Sequence, residues 1–179
     1  DQLRRVEVAT CDQIAWRIIG KARKVGQLEP DGDALRRLAK LRQKHVPGGS
    51  AFEAKLRGRA LERLSDAWLL EEFEWIIEGR SLTSLAEYQA AARPGRGLPL
   101  NERARAAVWE LYEVFSKGAS ERYPALRREA LKLLAEDVQA VRYDYVVVDE
   151  AQDLSPVSLA LMAEVCKTAE GLFFAADNK

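Results

Sequence analysis

The run Tyr143-Asp144-Tyr145-Val146-Val147-Val148-Asp149-Glu150-Ala151-Gln152-Asp153 limits the possible folds more than any other stretch of the chain. A short Val-rich run with no polar alternation reads as a strand buried on both faces, the kind that occupies parallel sheets. Tyr145–Val148 is therefore predicted as such a strand. It delivers two adjacent carboxylates, Asp149 and Glu150, at its carboxyl end, where ligands bind in open α/β sheets. An acid so placed can hold a magnesium ion beside a nucleotide, and a second can orient or deprotonate a water molecule. Acids after a strand also suit the positive end of a following helix. The full Asp-Glu-Ala-Gln-Asp string favours the nucleotide site over that simpler role.

The surrounding pattern extends the strand into a unit. Ser155-Pro156 supplies an N-cap and a first-turn proline for a helix to about Thr168. Gly171 ends that helix, and Leu172–Ala175 reads as a second strand. A strand–helix–strand of this length predicts two parallel strands. At the other end of the chain, Val6-Glu7-Val8 reads as a short strand. Thr10 and Gln13 have capping-box spacing and open a helix that carries Ile14, Ile18 and Ile19 into a core and ends near Gly26.

Between the chain ends the periodicity is helical. A helix over Asp31–Lys44 carries Leu35, Leu38 and Leu41, and Val46-Pro47-Gly48-Gly49 breaks it. Ser50 and Glu53 cap a long helical stretch toward Gly79, with Gly58 and Ser65 as possible interruptions. A short helix spans about Ser84–Ala92, and Arg93-Pro94-Gly95-Arg96-Gly97 forms a basic turn. Asn101 caps a helix bearing Val108, Trp109, Leu111, Tyr112 and Phe115, and a further helix runs over about Tyr123–Ala140. At these spacings the aromatic residues, Tyr88 and Trp109 included, read as core rather than as platforms for bases. The organisation is a sheet fragment made by the two chain ends, 1–26 and 123–179, with 27–122 as a helical insertion.

No run approaches the roughly 18 apolar residues of a membrane span, so no membrane partner is expected. Two distant cysteines, Cys11 and Cys166, and one histidine, His45, fit neither a disulfide framework nor a clustered metal site and suggest a reducing, cytoplasmic setting. The net charge of zero hides an asymmetry: residues 17–63 carry thirteen Lys and Arg against five Asp and Glu, whereas residues 141–179 carry three against seven. A basic block followed by an acidic end suits separate sites for nucleic-acid phosphates and for a metal–nucleotide, although helices carry solvated charged faces as a matter of course.

Asp149-Glu150-Ala151-Gln152-Asp153-Leu154 resembles the second conserved helicase motif of the UvrD/Rep-like group of superfamily 1 DNA helicases. Val6-Glu7-Val8-Ala9-Thr10-Cys11-Asp12-Gln13-Ile14-Ala15 is similar to that family's early DNA-contacting strand–turn–helix. Leu172-Phe173-Phe174-Ala175-Ala176-Asp177-Asn178-Lys179 is similar to the strand and acid that open its third motif. The resemblance implies an α/β fold: a partial RecA-like P-loop NTPase parallel sheet with a large all-helical insertion subdomain. It implies ATP and Mg²⁺ as ligands and single-stranded or partly duplex DNA as partner, alongside the remaining helicase domains. Asp149 would hold Mg²⁺ through a water, Glu150 would be the general base, Gln152 would sense the γ-phosphate, and Asp153 would link the motif to its neighbours. Asp177 would join the same cleft. Thr10 is the DNA candidate by the resemblance, and Arg93 and Arg96 are candidates by their place on a Gly-rich turn.

The departures from the family pattern are specific. Asp12 stands where the family usually has His, and Ala176 where it has Gly. No stretch matches Gly-x-x-x-x-Gly-Lys-Ser/Thr; Arg93–Gly97 lacks the Lys-Ser/Thr. The chain therefore reads as an internal piece of a larger motor, inactive toward ATP by itself. The alternative expectation is a non-catalytic helicase-like scaffold that binds partners.

Overall fold

The structure is a computed structural model that describes residues 6–117, 121–136 and 141–177. In chain order its elements are α1 (Cys11–Ala22), α2 (Asp31–Lys44), α3 (Ala51–Glu62), α4 (Asp66–Glu71), a π-helical segment (Glu72–Glu78), α5 (Leu85–Ala90), α6 (Glu102–Lys117), α7 (Tyr123–Glu136), β1 (Val146–Val148), a 3₁₀ turn (Ala151–Asp153), α8 (Pro156–Glu164), a second 3₁₀ turn (Ala169–Gly171) and β2 (Leu172–Phe174). The protein is mostly helical with a small parallel sheet. The chain divides into two compact units, residues 1–26 with 123–179, and residues 27–122.

In the first unit, Thr10 caps α1: its hydroxyl accepts from the Gln13 amide while the Gln13 side chain accepts from the Thr10 amide, so two of the helix's unpaired donors are satisfied reciprocally. Ile14, Ala15, Ile18 and Ile19 of α1 are buried together with Leu126, Ala130 and Leu134 of α7 and Val157, Leu161 and Met162 of α8. Helix α1 packs on α7, and α7 on α8. Asp12, a carboxylate at the start of α1, is held by Arg127 through two hydrogen bonds of 2.6 and 3.0 Å.

Strands β1 and β2 pair in parallel, with Val146, Val147 and Val148 opposite Leu172, Phe173 and Phe174. Gly171 leads into β2 where a side chain could not fit. A Cβ built there would lie 2.2 Å from the Asp144 carbonyl oxygen.

Several sequence expectations need correction. Val6–Val8 forms no strand, because no strand of the described residues pairs with it. Helix α1 ends at Ala22 rather than near Gly26, α8 ends at Glu164 rather than near Thr168, and Gly58 lies inside α3 without breaking it. The Val-rich strand is not buried on both faces. Val148 is buried, whereas Tyr145 and Val147 are 75% and 74% exposed and Phe173, opposite Val147, is exposed as well. One face of the pair is thus uncovered among the described residues. The end of the helix expected to reach Ala140, and Asn178 and Lys179 of the third matched segment, lie outside those residues.

The second unit is an all-helical body. Its core joins Ala34 and Leu38 of α2, Leu69 and Leu70 of α4, Phe73, Ile76 and Ile77 of the π segment, Tyr88 of α5, and Trp109, Leu111, Tyr112 and Phe115 of α6. Phe73 lies 5.3 Å from both Tyr112 and Phe115 between ring centroids, and Tyr88 stacks on Trp109 at 6.0 Å. These separations suit aromatic pairs, which add about 0.5–1.5 kcal/mol beyond area burial. Tyr88 and Trp109 are therefore core residues.

The π segment also buries a carboxylate. Glu72 is fully buried and accepts hydrogen bonds from the Tyr88 hydroxyl (2.7 Å), from Arg93 (2.5 and 3.0 Å) and from Arg96 (2.9 Å). Burial pushes the Glu72 carboxyl up, but the bonds from Arg93, Tyr88 and Arg96 outweigh it and hold the group below the usual glutamate range. At the other end of the segment, Arg122 bonds Glu74 and Glu78.

Two expected outcomes follow. Glu72→Ala leaves two arginines without their buried partner and costs about 3–5 kcal/mol in urea unfolding. Because the folded-state pKa of Glu72 is lowered, its contribution is present above the unfolded glutamate value and is lost as pH falls below about 4.3, through the lowered value; the variant does not share that loss. Gly171→Ala forces Asp144 and the start of β2 apart and costs about 1–3 kcal/mol; an unchanged unfolding midpoint would contradict the close approach.

Candidate functional site at the carboxyl end of the parallel pair

Beyond Val148 the chain does not simply leave the sheet. The Ala175 amide donates to the Val148 carbonyl (2.8 Å), and the Ala151 amide donates to the Ala175 carbonyl (2.9 Å). These bonds clamp the residues after β1 to those after β2. Within the clamp the Glu150 backbone is left-handed, with φ 51° and ψ 42°. Only one other non-glycine residue of the described chain has positive φ, Ser81 in a turn. This conformation brings Cβ close to the carbonyl and costs about 1–2 kcal/mol for an ordinary side chain. Such strain concentrates at functional positions.

The strained turn gathers polar groups. The Glu150 amide donates to Asp149 Oδ1 (3.0 Å), and the Asp153 amide to the Glu150 carbonyl (2.9 Å). The Gln152 side chain bridges the two strand ends: its amide nitrogen donates to Glu150 Oε2, and its carbonyl oxygen accepts from the Asp177 amide (3.1 Å). Asp149, Glu150, Asp153 and Asp177 are exposed and Gln152 is half-buried. Asp149, Glu150, Gln152, Asp153 and Asp177 thus meet at one edge, open to solvent.

No group of three or more His, Cys, Asp or Glu among the described residues forms a metal cage. Mg²⁺ needs no such cage, since it keeps several waters and takes one or two carboxylates plus substrate phosphate oxygens. Asp149 can supply the single hard oxygen.

The DNA candidates lie elsewhere. The Thr10 hydroxyl accepts the cap bond from Gln13 and lines an open groove of about 670 Å³ with Glu7, Asp12, Trp16, Arg17 and Tyr123. Trp16 was not among the residues singled out from the sequence. It is off the buried Ile14–Ile18 stripe of α1, and that offset was the available signal. The Asp12 carboxylate, which could repel phosphates, is neutralised by Arg127.

Arg93 and Arg96 do not present cations outward, contrary to the reading of their turn. Their side chains are 6% and 10% exposed and are spent on Glu72, with Arg96 also bonding Glu71 and the Trp68 carbonyl. A buried carboxylate left without cationic partners is costly; the turn folds inward to supply them, and these groups are not available to phosphate in this arrangement.

If Glu150 is strained for the sake of its carboxylate, Glu150→Gly should leave the protein as stable as before or up to about 1 kcal/mol more stable. Chemical denaturation reads this directly. A loss of more than about 1 kcal/mol would mean that the side chain, not the site, sets the turn. No protein-family model matches the sequence, and neither a curated protein nor a solved structure matches it.

Proposed function

We propose that residues 1–26 and 123–179 form part of a RecA-like ATPase core, and residues 27–122 its helical insertion, in the first motor domain of a UvrD/Rep-like DNA helicase. In this reading the protein is an ATP-dependent helicase. It couples ATP hydrolysis to movement on single-stranded DNA and to strand separation, in the cytoplasm and with the remaining helicase domains. The observation that carries the reading is the left-handed Glu150 beside Asp149 at the carboxyl end of a parallel strand, tied through Gln152 to the end of the next strand. Strain retained at a carboxylate in the position where α/β sheets bind ligands is consistent with chemistry there.

The residues then divide the work. Glu150, exposed and anchored by Gln152, accepts the proton of the water that attacks the γ-phosphate. Gln152 already spans both strand ends, so a phosphate at that edge would be felt on both. Asp149 would hold Mg²⁺, which when bound would supply charge neutralisation for the nucleotide phosphates. Asp153 and Asp177 frame the edge through backbone bonds. Thr10 contacts a DNA phosphate from its groove at the start of α1.

The test is ATP turnover, with and without single-stranded DNA, by the longer polypeptide that this reading requires, beside its Glu150→Gln variant. Turnover should rise with DNA and fall about 10²–10⁴-fold in the variant, the range a positioned general base contributes. The chain of 179 residues alone, which contains no phosphate-cradling loop, should hydrolyse no ATP. Turnover by the isolated chain that vanished with Glu150→Ala would contradict the assignment. Absence of turnover in the longer polypeptide would leave the non-catalytic scaffold as the reading.

A further inference from the structure

We propose that the groove between α3, residues 98–101 and the first turn of α6 is a docking site for an acidic segment of a partner protein that carries aliphatic anchors. The site lies wholly within residues 27–122 and does not rest on the nucleotide reading. The groove has a volume of about 380 Å³. Its apolar surface comes from Leu56, Leu64, Leu98, Pro99 and Leu100, and Arg59, Arg63 and Arg103 line it as well. Leu98 is 43% exposed, a large aliphatic side chain held at the surface.

The three arginines set the groove apart from the rest of this unit. Eight of the twelve arginines there are committed: Arg36 to Asp33, Arg37 to Glu29, Arg42 to Asp66, Arg57 to Glu110, Arg93 and Arg96 to Glu72, Arg105 to the Tyr88, Gln89 and Ala91 carbonyls, and Arg122 to Glu74; a ninth, Arg80, is outside the groove. Arg59, Arg63 and Arg103 are exposed, and none of their three side chains has a hydrogen-bond or ion-pair partner among the described residues. Their positions also run against local electrostatics. Arg59 and Arg63 are four residues apart at the end of α3, where like charges repel. Arg103 is the second residue of α6, a cation at the positive end of a sixteen-residue helix. Arg59, in the last turn of α3, and Arg63, at its C-cap, both complement that helix's dipole, so the local cost lies in their mutual repulsion and in the placement of Arg103. A sequence that accepts local costs to bring three cations to one groove is consistent with an anionic occupant.

The wall is pre-formed. Arg93 donates to the Leu98 carbonyl (2.8 Å), Arg105 to the Leu100 carbonyl (3.3 Å), and Asn101 accepts from the Ala104 amide (2.9 Å). A rigid wall lowers the ordering cost of docking. The chemistry of the lining selects between anionic partners. Single-stranded nucleic acid is held by stacking bases on aromatic rings, and no aromatic residue among the described residues lines this groove. Leu and Pro side chains instead match Leu, Ile or Val of a peptide, with its Asp and Glu reaching the arginines.

The test uses the 179-residue chain and fluorescence anisotropy. The probes are labelled synthetic ten-residue peptides combining Asp and Glu with Leu, Ile and Val at varied spacing, each paired with its Asn/Gln isostere, and oligo(dT) as competitor. At least one acidic peptide should bind tenfold or more tightly than its amide isostere. That binding should weaken at least tenfold in Arg59→Glu, in Arg103→Glu and in Leu98→Ser, and stay unchanged in Lys40→Glu, an equal charge change outside the groove. Arg103→Glu should melt no lower than the parent protein, since it places an acid at a helix start, which separates lost binding from lost folding. The proposal is overturned if no acidic peptide outbinds its isostere, or if Lys40→Glu weakens binding as much as the groove variants. It is also overturned if oligo(dT) displaces the peptides and itself loses binding in the groove variants, which would make the groove a nucleic-acid site.

Discussion

The parallel pairing of β1 with β2 is the constraint on which the candidate site depends. Only three residue pairs form the ladder, yet the backbone continues the pairing beyond both of its ends. Before β1, the Tyr143 amide donates to the Val165 carbonyl and the Lys167 amide to the Tyr143 carbonyl. After it, Val148, Ala151 and Ala175 are joined in the same way. Backbone donors and acceptors must be satisfied, and here strand-like bonds continue up to the point where Asp149 and Glu150 turn out of the sheet. Without that clamp, Gln152 and Asp177 would have no reason to meet. The left-handed backbone at Glu150 is stable only because bonds on either side of it fix the turn.

Residues 27–122 follow a different logic, set by charge inside a helical body. Glu72 occupies a position in the helical stripe that an apolar residue could fill. A buried carboxylate requires cations and hydrogen bonds, so Arg93, Arg96 and Tyr88 converge on it. That convergence draws the 93–97 turn inward, and Arg93 then fixes the Leu98 carbonyl. The groove wall is thus a consequence of one buried acid. The same step removes Arg93 and Arg96 from the exposed cations and leaves Arg59, Arg63 and Arg103 as the arginines that face the groove.

Local signals were legible where chemistry within a few residues decides the outcome. Thr10–Gln13 and Ser50–Glu53 both form capping boxes, Ser155-Pro156 starts α8, and α2 spans Asp31–Lys44, each as its sequence reads. The parallel pairing of Val146–Val148 with Leu172–Phe174 was legible for the same reason, since a strand–helix–strand of this length leaves few alternatives. What depends on distant partners was not legible. Val6–Val8 has the alternation of a strand but no neighbour to pair with among the described residues. Val147 sits in an apolar run yet lies on an open face. The inward turn of Arg93 and Arg96 depends on Glu72, more than twenty residues away, and nothing within the turn itself signals it. At the candidate site, Asp149, Glu150, Gln152, Asp153 and Asp177 stand out individually in the sequence, but neither the strained backbone of Glu150 nor the bridge made by Gln152 follows from their order.

The most direct measurement of the central claim is the ¹⁵N–¹H NMR response of this chain to Mg²⁺-ATP, which detects even weak binding. The amides of Asp149 through Asp153 and of Asp177 should shift together with increasing Mg²⁺-ATP, and the response should shrink when Asp149 is replaced by Ala. Shifts confined to residues away from the carboxyl ends of β1 and β2, or no shifts at saturating nucleotide, would contradict the account.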